Sequence, residues 1–171
     1  MYVNKALVSQ IGRSKKIQEW QEQLVQNSSQ LVTGLAGSAK SASIATLLAK
    51  ENKILVVTPN LYYATKLMED LQNIIEEDYL FYFPVDEVTA VEMSFSSPEA
   101  LSDRINALDF LSNDAPGILV TSLAGMRRFL PSPKLWKEQT FVFKKDGVVD
   151  LSTLAEKLVL LGYQKEQMIV K

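Results

Sequence analysis

Two rhythms of apolar residues alternate along the chain: short runs apolar at nearly every position, and longer stretches where apolar residues return every three or four positions. The first rhythm marks strands buried on both faces, the second amphipathic helices. In RSKKIQEWQEQLVQ (13–26), Ile17, Trp20 and Leu24 share one helical face. QLVTG (30–34) is a short apolar run stopped by glycine and reads as a strand. SAKSASIATLLAK (38–50) reads as a helix with Ile44, Leu47 and Leu48 inward. KILVVT (53–58) is a strand closed by Pro59. LYYATKLMEDLQNII (61–75) is a helix with Tyr63, Leu67, Leu71 and Ile75 on one stripe, and YLFYF (79–83) is a strand closed by Pro84. SSPEALSDRINALDFL (96–111) has a full helix start, with Ser97 as cap, Pro98 at the first position and Glu99 in the first turn. GILVT (117–121) is a strand, SLAGMRRFL (122–130) a short helix ended by Pro131, and TFVFK (140–144) a strand. DLSTLAEKLVLLGY (150–163) is a helix that Gly162 ends, and QMIVK (167–171) looks like the first half of a strand.

Apolar strands separated by helices predict an α/β fold of three layers, a mostly parallel sheet covered on both faces. The expected sheet contains 30–34, 53–58, 79–83, 117–121 and 140–144. The KKDG turn near residue 146 divides the chain into a domain over 1–145 and the beginning of a second subdomain over 146–171. That second pattern does not finish, so the chain reads as a piece cut from a longer protein. Residues beyond about 146 are expected to pack poorly, leaving Met168 and Val170 with an unfilled face.

Composition narrows the chemistry. Among 171 residues, 47% are hydrophobic and 22% charged, the balance of a folded domain. The absence of cysteine excludes disulfides and thiolate metal sites, and the absence of histidine removes imidazole bases and the usual zinc ligands. A net charge of −2 gives no global reason to expect nucleic-acid binding. MYVNKALVSQIG has no long apolar run, so no signal peptide is expected, and no window approaches the roughly 18 apolar residues of a membrane span. The expected location is cytoplasmic, with no membrane partner.

One motif carries candidate chemistry. TGLAGSAKS (33–41) is one residue short of the phosphate-binding pattern G-x-x-x-x-G-K-[ST]. Gly34 opens it, Gly37 and Ser38 lie within it, Lys40 and Ser41 close it, and Ala39 stands where glycine is usual. The expected context, a strand, a glycine turn and a helix start, is one in which backbone N–H groups cradle phosphates. Lys40 would meet the outer phosphates and Ser41 the Mg²⁺. The Ala39 methyl crowds that approach, and a left-handed conformation there would add roughly 1–2 kcal/mol. Hydrolysis also needs a carboxylate at a neighbouring strand end, yet GILVT ends in Thr121-Ser122. Asp86 and Glu87 follow a strand only after Pro84-Val85 and read more simply as a solvated acidic turn. Arg104, Arg127 and Arg128 are candidate catalytic arginines, each more simply a surface or ion-paired residue.

QLVTGLAGSAKSASIATLL, KILVVTPNLYYATKLMEDL, FYFPVDE, SFSSPEALSDRINALDFL and GILVTSLAGMRRFLPSP, in that order, resemble the N-terminal module of the bacterial transcription-repair coupling factors (Mfd), a module related to the excision-repair protein UvrB. The most specific pieces are FP-x-x-E (Phe83, Pro84, Glu87) and S-P-E-x-x-x-x-R (Ser97, Pro98, Glu99, Arg104). TFVFKKDGVVDLSTLAEKLVLLGYQKEQMIV continues the resemblance into the next subdomain. The resemblance implies a degenerate P-loop NTPase domain of the RecA or UvrB domain 1a type, with no cofactor of its own. ATP and Mg²⁺ would serve a motor further along the full protein. It further implies a role in DNA repair, displacing stalled RNA polymerase and recruiting UvrA, the latter mainly through the subdomain that begins near residue 146. Two other readings stand beside it. One is an active or nucleotide-gated NTPase. The other is a DNA-contacting lobe of a helicase, resting on Arg127, Arg128, Lys134, Lys137, Lys144 and Lys145, a run that also reads as a solvated basic edge.

Overall fold

The run GILVTS, apolar but for its last two residues, becomes the centre of the sheet. In the computed structural model, which describes residues 5–25, 29–48, 53–85, 97–141, 143, 145 and 147–164, β3 (Gly117–Ser122) lies between β1 (Lys53–Thr58) and β2 (Leu80–Phe83), and every residue of β3 is buried. Both neighbours run parallel to it, with Ile54 beside Ile118, Leu55 beside Leu119, and Leu80 beside Ile118.

Eight helices are described: α1 (Lys5–Gly12), α2 (Lys15–Val25), α3 (Ala39–Leu47), α4 (Leu61–Gln72), α5 (Pro98–Ser112), α6 (Leu123–Met126), α7 (Pro133–Gln139) and α8 (Leu151–Leu160). Helices of the first unit, Met1–Leu130, cover both faces of the sheet. Ala42 and Ala45 of α3 join Ala64, Leu67 and Leu71 of α4 over Ile118 and Val120. On the opposite face, Ala107 and Phe110 of α5 pack with Phe83, Val85 and Leu119. Right-handed crossovers explain this division. The chain goes from β1 past the β3 position to β2, then turns back through α5 into β3, and reversing direction moves the helix to the other face. The three-layer α/β arrangement expected from the alternation of elements is therefore present, with a sheet of three strands.

Two expected strands are not in that sheet. Residues 29–36 are neither helix nor strand, and Leu31 is 90% exposed. Leu31 and Val32 are too short a run to hold a place by burial alone. In 140–144 the described residues are also irregular. Thr140 ends α7, which the apolar pattern did not reveal, and its hydroxyl donates to the Trp136 carbonyl at 2.8 Å, so the chain closes a helix there. The segment 167–171 lies outside the described residues.

The ends of the elements follow local chemistry. The Asn60 side chain accepts from the Tyr63 N–H at the start of α4, and Ser97 accepts from Ala100 at the start of α5. Lys53, the first residue of β1, donates from Nζ to the Phe110 carbonyl at 2.8 Å and to those of Leu111 and Asn113. It thus supplies a cation at the carbonyl-rich C-terminal end of α5, where the helix dipole favours positive charge.

The chain divides into two compact units, Met1–Leu130 and Pro131–Lys171, a break that falls ahead of the KKDG turn. The second unit holds α7, capped by Ser132, and α8, capped by Asp150, and the Lys157 ammonium sits 5.8 Å from the centre of the Phe141 ring. Asp150 accepts from the N–H groups of Ser152 and Thr153 and from the Thr153 hydroxyl, which holds its carboxyl below the usual range. The stability from this cap is therefore present above the unfolded carboxyl's pKa and is lost as pH falls through the lower folded one. We expect the Ser152 and Thr153 amide resonances to shift together on acidification. Asp150→Asn, which can still cap, should remove that titration while keeping α8, and Asp150→Ala should remove both.

Candidate phosphate-loop site

The glycine loop keeps part of the geometry its sequence announces. Gly34 and Gly37 both take positive φ, +82° and +52°, and a Cβ at either would meet nothing within 4 Å. Backbone conformation, not space, is what calls for glycine at these two positions. Ser38 occupies the cap position of α3 in a helical conformation, exposed, and its side chain makes no capping bond. Ala39 is the first residue of α3, so it carries no left-handed strain, and the methyl itself is the remaining obstacle to a close anion. The N–H of Ala39 is directed to the Ala36 carbonyl at 3.2 Å and that of Lys40 to Gly37 at 3.4 Å. Both lie in the turn rather than facing a common point outside it.

Lys40 and Ser41 part ways. Lys40 is exposed and borders a groove of about 540 Å³ floored by Ile44 and Val56, with Thr58, Tyr63 and Lys66 also on its wall. Ser41 is fully buried, and its hydroxyl donates to the Ser38 carbonyl at 3.0 Å. The atom that would ligate Mg²⁺ is bonded back into its own helix.

At the carboxyl ends of the strands the polar groups are hydroxyls. Thr58 Oγ1 bonds the Asn60 carbonyl at 2.9 Å and the Thr121 carbonyl at 3.3 Å, and Thr121 Oγ1 donates to the Phe83 carbonyl at 2.9 Å. Ser122 Oγ is buried with no partner among the described residues. No group of three acidic residues among those described could hold a metal, and Asp86 and Glu87 lie outside them.

The remaining candidates separate. Arg104 is half-buried, and its Nε donates to the Pro84 carbonyl at 2.7 Å. The arginine of S-P-E-x-x-x-x-R thereby holds the proline of FP-x-x-E, tying α5 to the exit of β2. Near it, Asp103 is raised above the usual carboxylate range by burial and by the charge of Glu99, while backbone and Ser97 hydrogen bonds lower Glu99. Arg127 and Arg128 are exposed in the first unit; Lys134, Lys137 and Lys145 are exposed in the second, where Lys134 approaches Glu138 at 3.9 Å. Two lysines escaped sequence reasoning: Lys53, masked as the polar start of an apolar strand, and Lys66, one charge among several on the outer face of a helix.

The site is thus a glycine loop leading into a helix of a parallel α/β domain, with Lys40 exposed, Ser41 buried and no metal-binding constellation among the described residues. No family model matches the chain. It is similar to the transcription-repair-coupling factor of Bacillus subtilis (strain 168), 33% identical over 141 residues, covering 82% of this chain and 12% of that protein. The factor of Staphylococcus aureus (strain bovine RF122 / ET3-1) is 34% identical over 81% of the chain and 12% of its own length. That of Staphylococcus epidermidis (strain RP62A) is 31% identical over 95% of the chain and 14% of its own. The chain belongs to the transcription-repair-coupling factor family, and it spans about an eighth of the length of these relatives. No described helix is long and apolar enough to cross a membrane.

Proposed function

We propose that this chain is the non-catalytic N-terminal module of a transcription-repair coupling factor, with a degenerate P-loop domain of the RecA and UvrB domain 1a type over residues 1–145 and the start of a further subdomain over 146–171. The observation that carries this reading is Ser41, whose hydroxyl is buried against Ser38 while β3 ends in Thr121 and Ser122 without an acid. Phosphoryl transfer requires a metal held from two sides and a positioned water, and neither side is supplied among the described residues. Gly34, Gly37, Ser38, Lys40 and Ser41 preserve the outline of a nucleotide loop rather than its activity. In the full protein, ATP and Mg²⁺ belong to a motor elsewhere in the chain. The whole acts in the cytoplasm on DNA and stalled RNA polymerase and recruits UvrA, mainly through the subdomain of which 146–171 is the start. A second reading, a nucleotide-binding domain, is favoured by one observation: the groove beside Lys40 also presents Lys66, two cations against the single carboxylate of Asp70.

The two readings part in a paired measurement of ATP binding by calorimetry and turnover with Mg²⁺. We expect no turnover above background in the unmodified chain or in Ala39→Gly. Micromolar binding with turnover, abolished by Lys40→Ala, would establish the second reading in place of the first.

A further inference from the structure

α6 and the residues just after it carry a surface that is both apolar and cationic. Leu123, Met126, Phe129 and Leu130 fall within eight consecutive residues, and all are exposed, Phe129 fully, Leu123 by 59% and Met126 by 52%. Arg127 and Arg128 lie among them, both exposed and neither ion-paired among the described residues. No Asp or Glu occurs between Asp114 and Glu138, so the charge of this stretch is wholly positive. Single apolar residues scattered over a surface are ordinary, whereas a group of them marks a contact site.

The sheet holds this segment in place. Gly125, the buried residue of α6, lies against Thr121 and the Phe83 ring. The Arg127 N–H donates to the Ala124 carbonyl at 3.3 Å and that of Arg128 to the Gly125 carbonyl at 3.1 Å, which closes the turn. With the glycine turned to the sheet, Leu123 and Met126, three apart and both exposed, share the outer side. The surface is therefore preformed, and little ordering is needed when it is covered.

Its composition and size select the occupant. Aromatic residues, Met and Arg are the types enriched in protein interfaces. Six residues are far fewer than the 20–30 or so that each side gives to a standard interface between folded domains, so a short segment, weakly bound, is what fits. The two guanidiniums favour an acidic one. Single-stranded nucleic acid fits less well, because its grooves set successive aromatic rings beside their cations, and Phe129 is the one ring among these six residues. A bilayer also fits less well, because a helix lying in the interface buries a long apolar face, and α6 is a single turn.

We propose that Leu123, Met126, Arg127, Arg128, Phe129 and Leu130 form a docking surface for a short acidic segment of a partner protein, with its apolar side chains against Phe129 and Met126 and its carboxylates against the two guanidiniums. The surface is separate from the glycine loop, so its role goes beyond the proposed function and holds whether or not the loop binds nucleotide.

A displayed library of random short peptides, selected on the unmodified chain, supplies the probes. We expect the enriched sequences to be acidic with interspersed apolar residues. Their affinity, measured by fluorescence anisotropy, should fall about tenfold or more in Phe129→Ser and in the double variant Arg127→Glu, Arg128→Glu. Lys66→Glu, which alters the groove beside Lys40 instead, should change it by no more than about twofold. Phe129→Ser should unfold in urea at the midpoint of the unmodified chain, since the ring is fully exposed; if it unfolds earlier, the double arginine variant decides. Enrichment of neutral or basic sequences, no enrichment, or binding indifferent to the arginine variant would overturn the proposal. Binding of labelled oligothymidine or of phosphatidylserine vesicles that the arginine variant abolishes would also overturn it, assigning the surface to nucleic acid or to a bilayer. So would a dimer in sedimentation that Phe129→Ser dissolves, which would make a second copy the occupant.

Discussion

Phe110→Ala is expected to lower the unfolding free energy of the first unit by about 3–5 kcal/mol, the range for removing a buried aromatic ring. Phe110 is 3% exposed. Its ring lies nearly parallel to Phe81 with centroids 4.1 Å apart, and the Lys53 ammonium stands 4.9 Å from its centre. Alanine therefore removes the transfer energy of the ring, leaves a cavity against β2 and β3, and strips Lys53 of a cation–π contact. Lys53 keeps its bonds to the backbone at the end of α5, so the helix end remains capped. Urea unfolding followed by circular dichroism gives the measurement. A loss below about 1 kcal/mol would mean that the ring is not a core element. Phe110→Leu should recover most of the loss, because volume-conserving apolar exchanges usually cost less than about 1.5 kcal/mol.

Gly125→Ala should destabilise by about 3 kcal/mol for a different reason, overpacking combined with a broken hydrogen bond. A methyl built on Gly125 overlaps Thr121 Oγ1 and comes within 3.4 Å of the Phe83 ring. Thr121 cannot simply turn away, because its hydroxyl ties the carbonyl of Phe83 and thereby the end of β2 to β3. Either α6 shifts off the sheet or that bond is given up inside the core. Thr121→Val in the Gly125→Ala background distinguishes these outcomes. If the lost bond dominates, the second substitution adds little. If displacement of α6 dominates, it adds its full separate cost.

The sheet elements were the most legible part of the fold. KILVVT, YLFYF and GILVT announce themselves because their apolar runs are bounded by Pro59, by Pro84 and, at the third, by Gly117 itself. The start of α5 was equally clear, since Ser97 and Pro98 act within one turn. Burial decided where the pattern misled. A strand exists only with a partner, and partnership is not local, so QLVTG reads as a strand yet stands outside the sheet. TFVFK failed because Thr140 serves the helix before it. α1 and α7 were missed because each is shorter than three turns, too short a window for a helical period to be read. At the site, residue types drew attention to Lys40 and to a central strand that ends in Thr121 and Ser122 without an acid. They could not give the rotation of the Ser41 hydroxyl or the grip of Arg104 on Pro84, because both depend on atoms placed by the tertiary fold.

The central place of β3 has a consequence for how the protein is made. Among the described residues both outer strands pair only with it, and it is the last of the three to leave the ribosome. Lys53 waits for Gly117, and Leu80 for Ile118. At synthesis rates of about 5–20 residues per second, β1 is exposed for several seconds before its ladder can form. During that interval KILVVT is an apolar segment without a partner, the kind that nascent-chain chaperones shield. A ribosomal pause that holds β3 inside the exit tunnel should therefore increase aggregation of the nascent chain more than one placed after Ser122 has emerged, when the sheet can close.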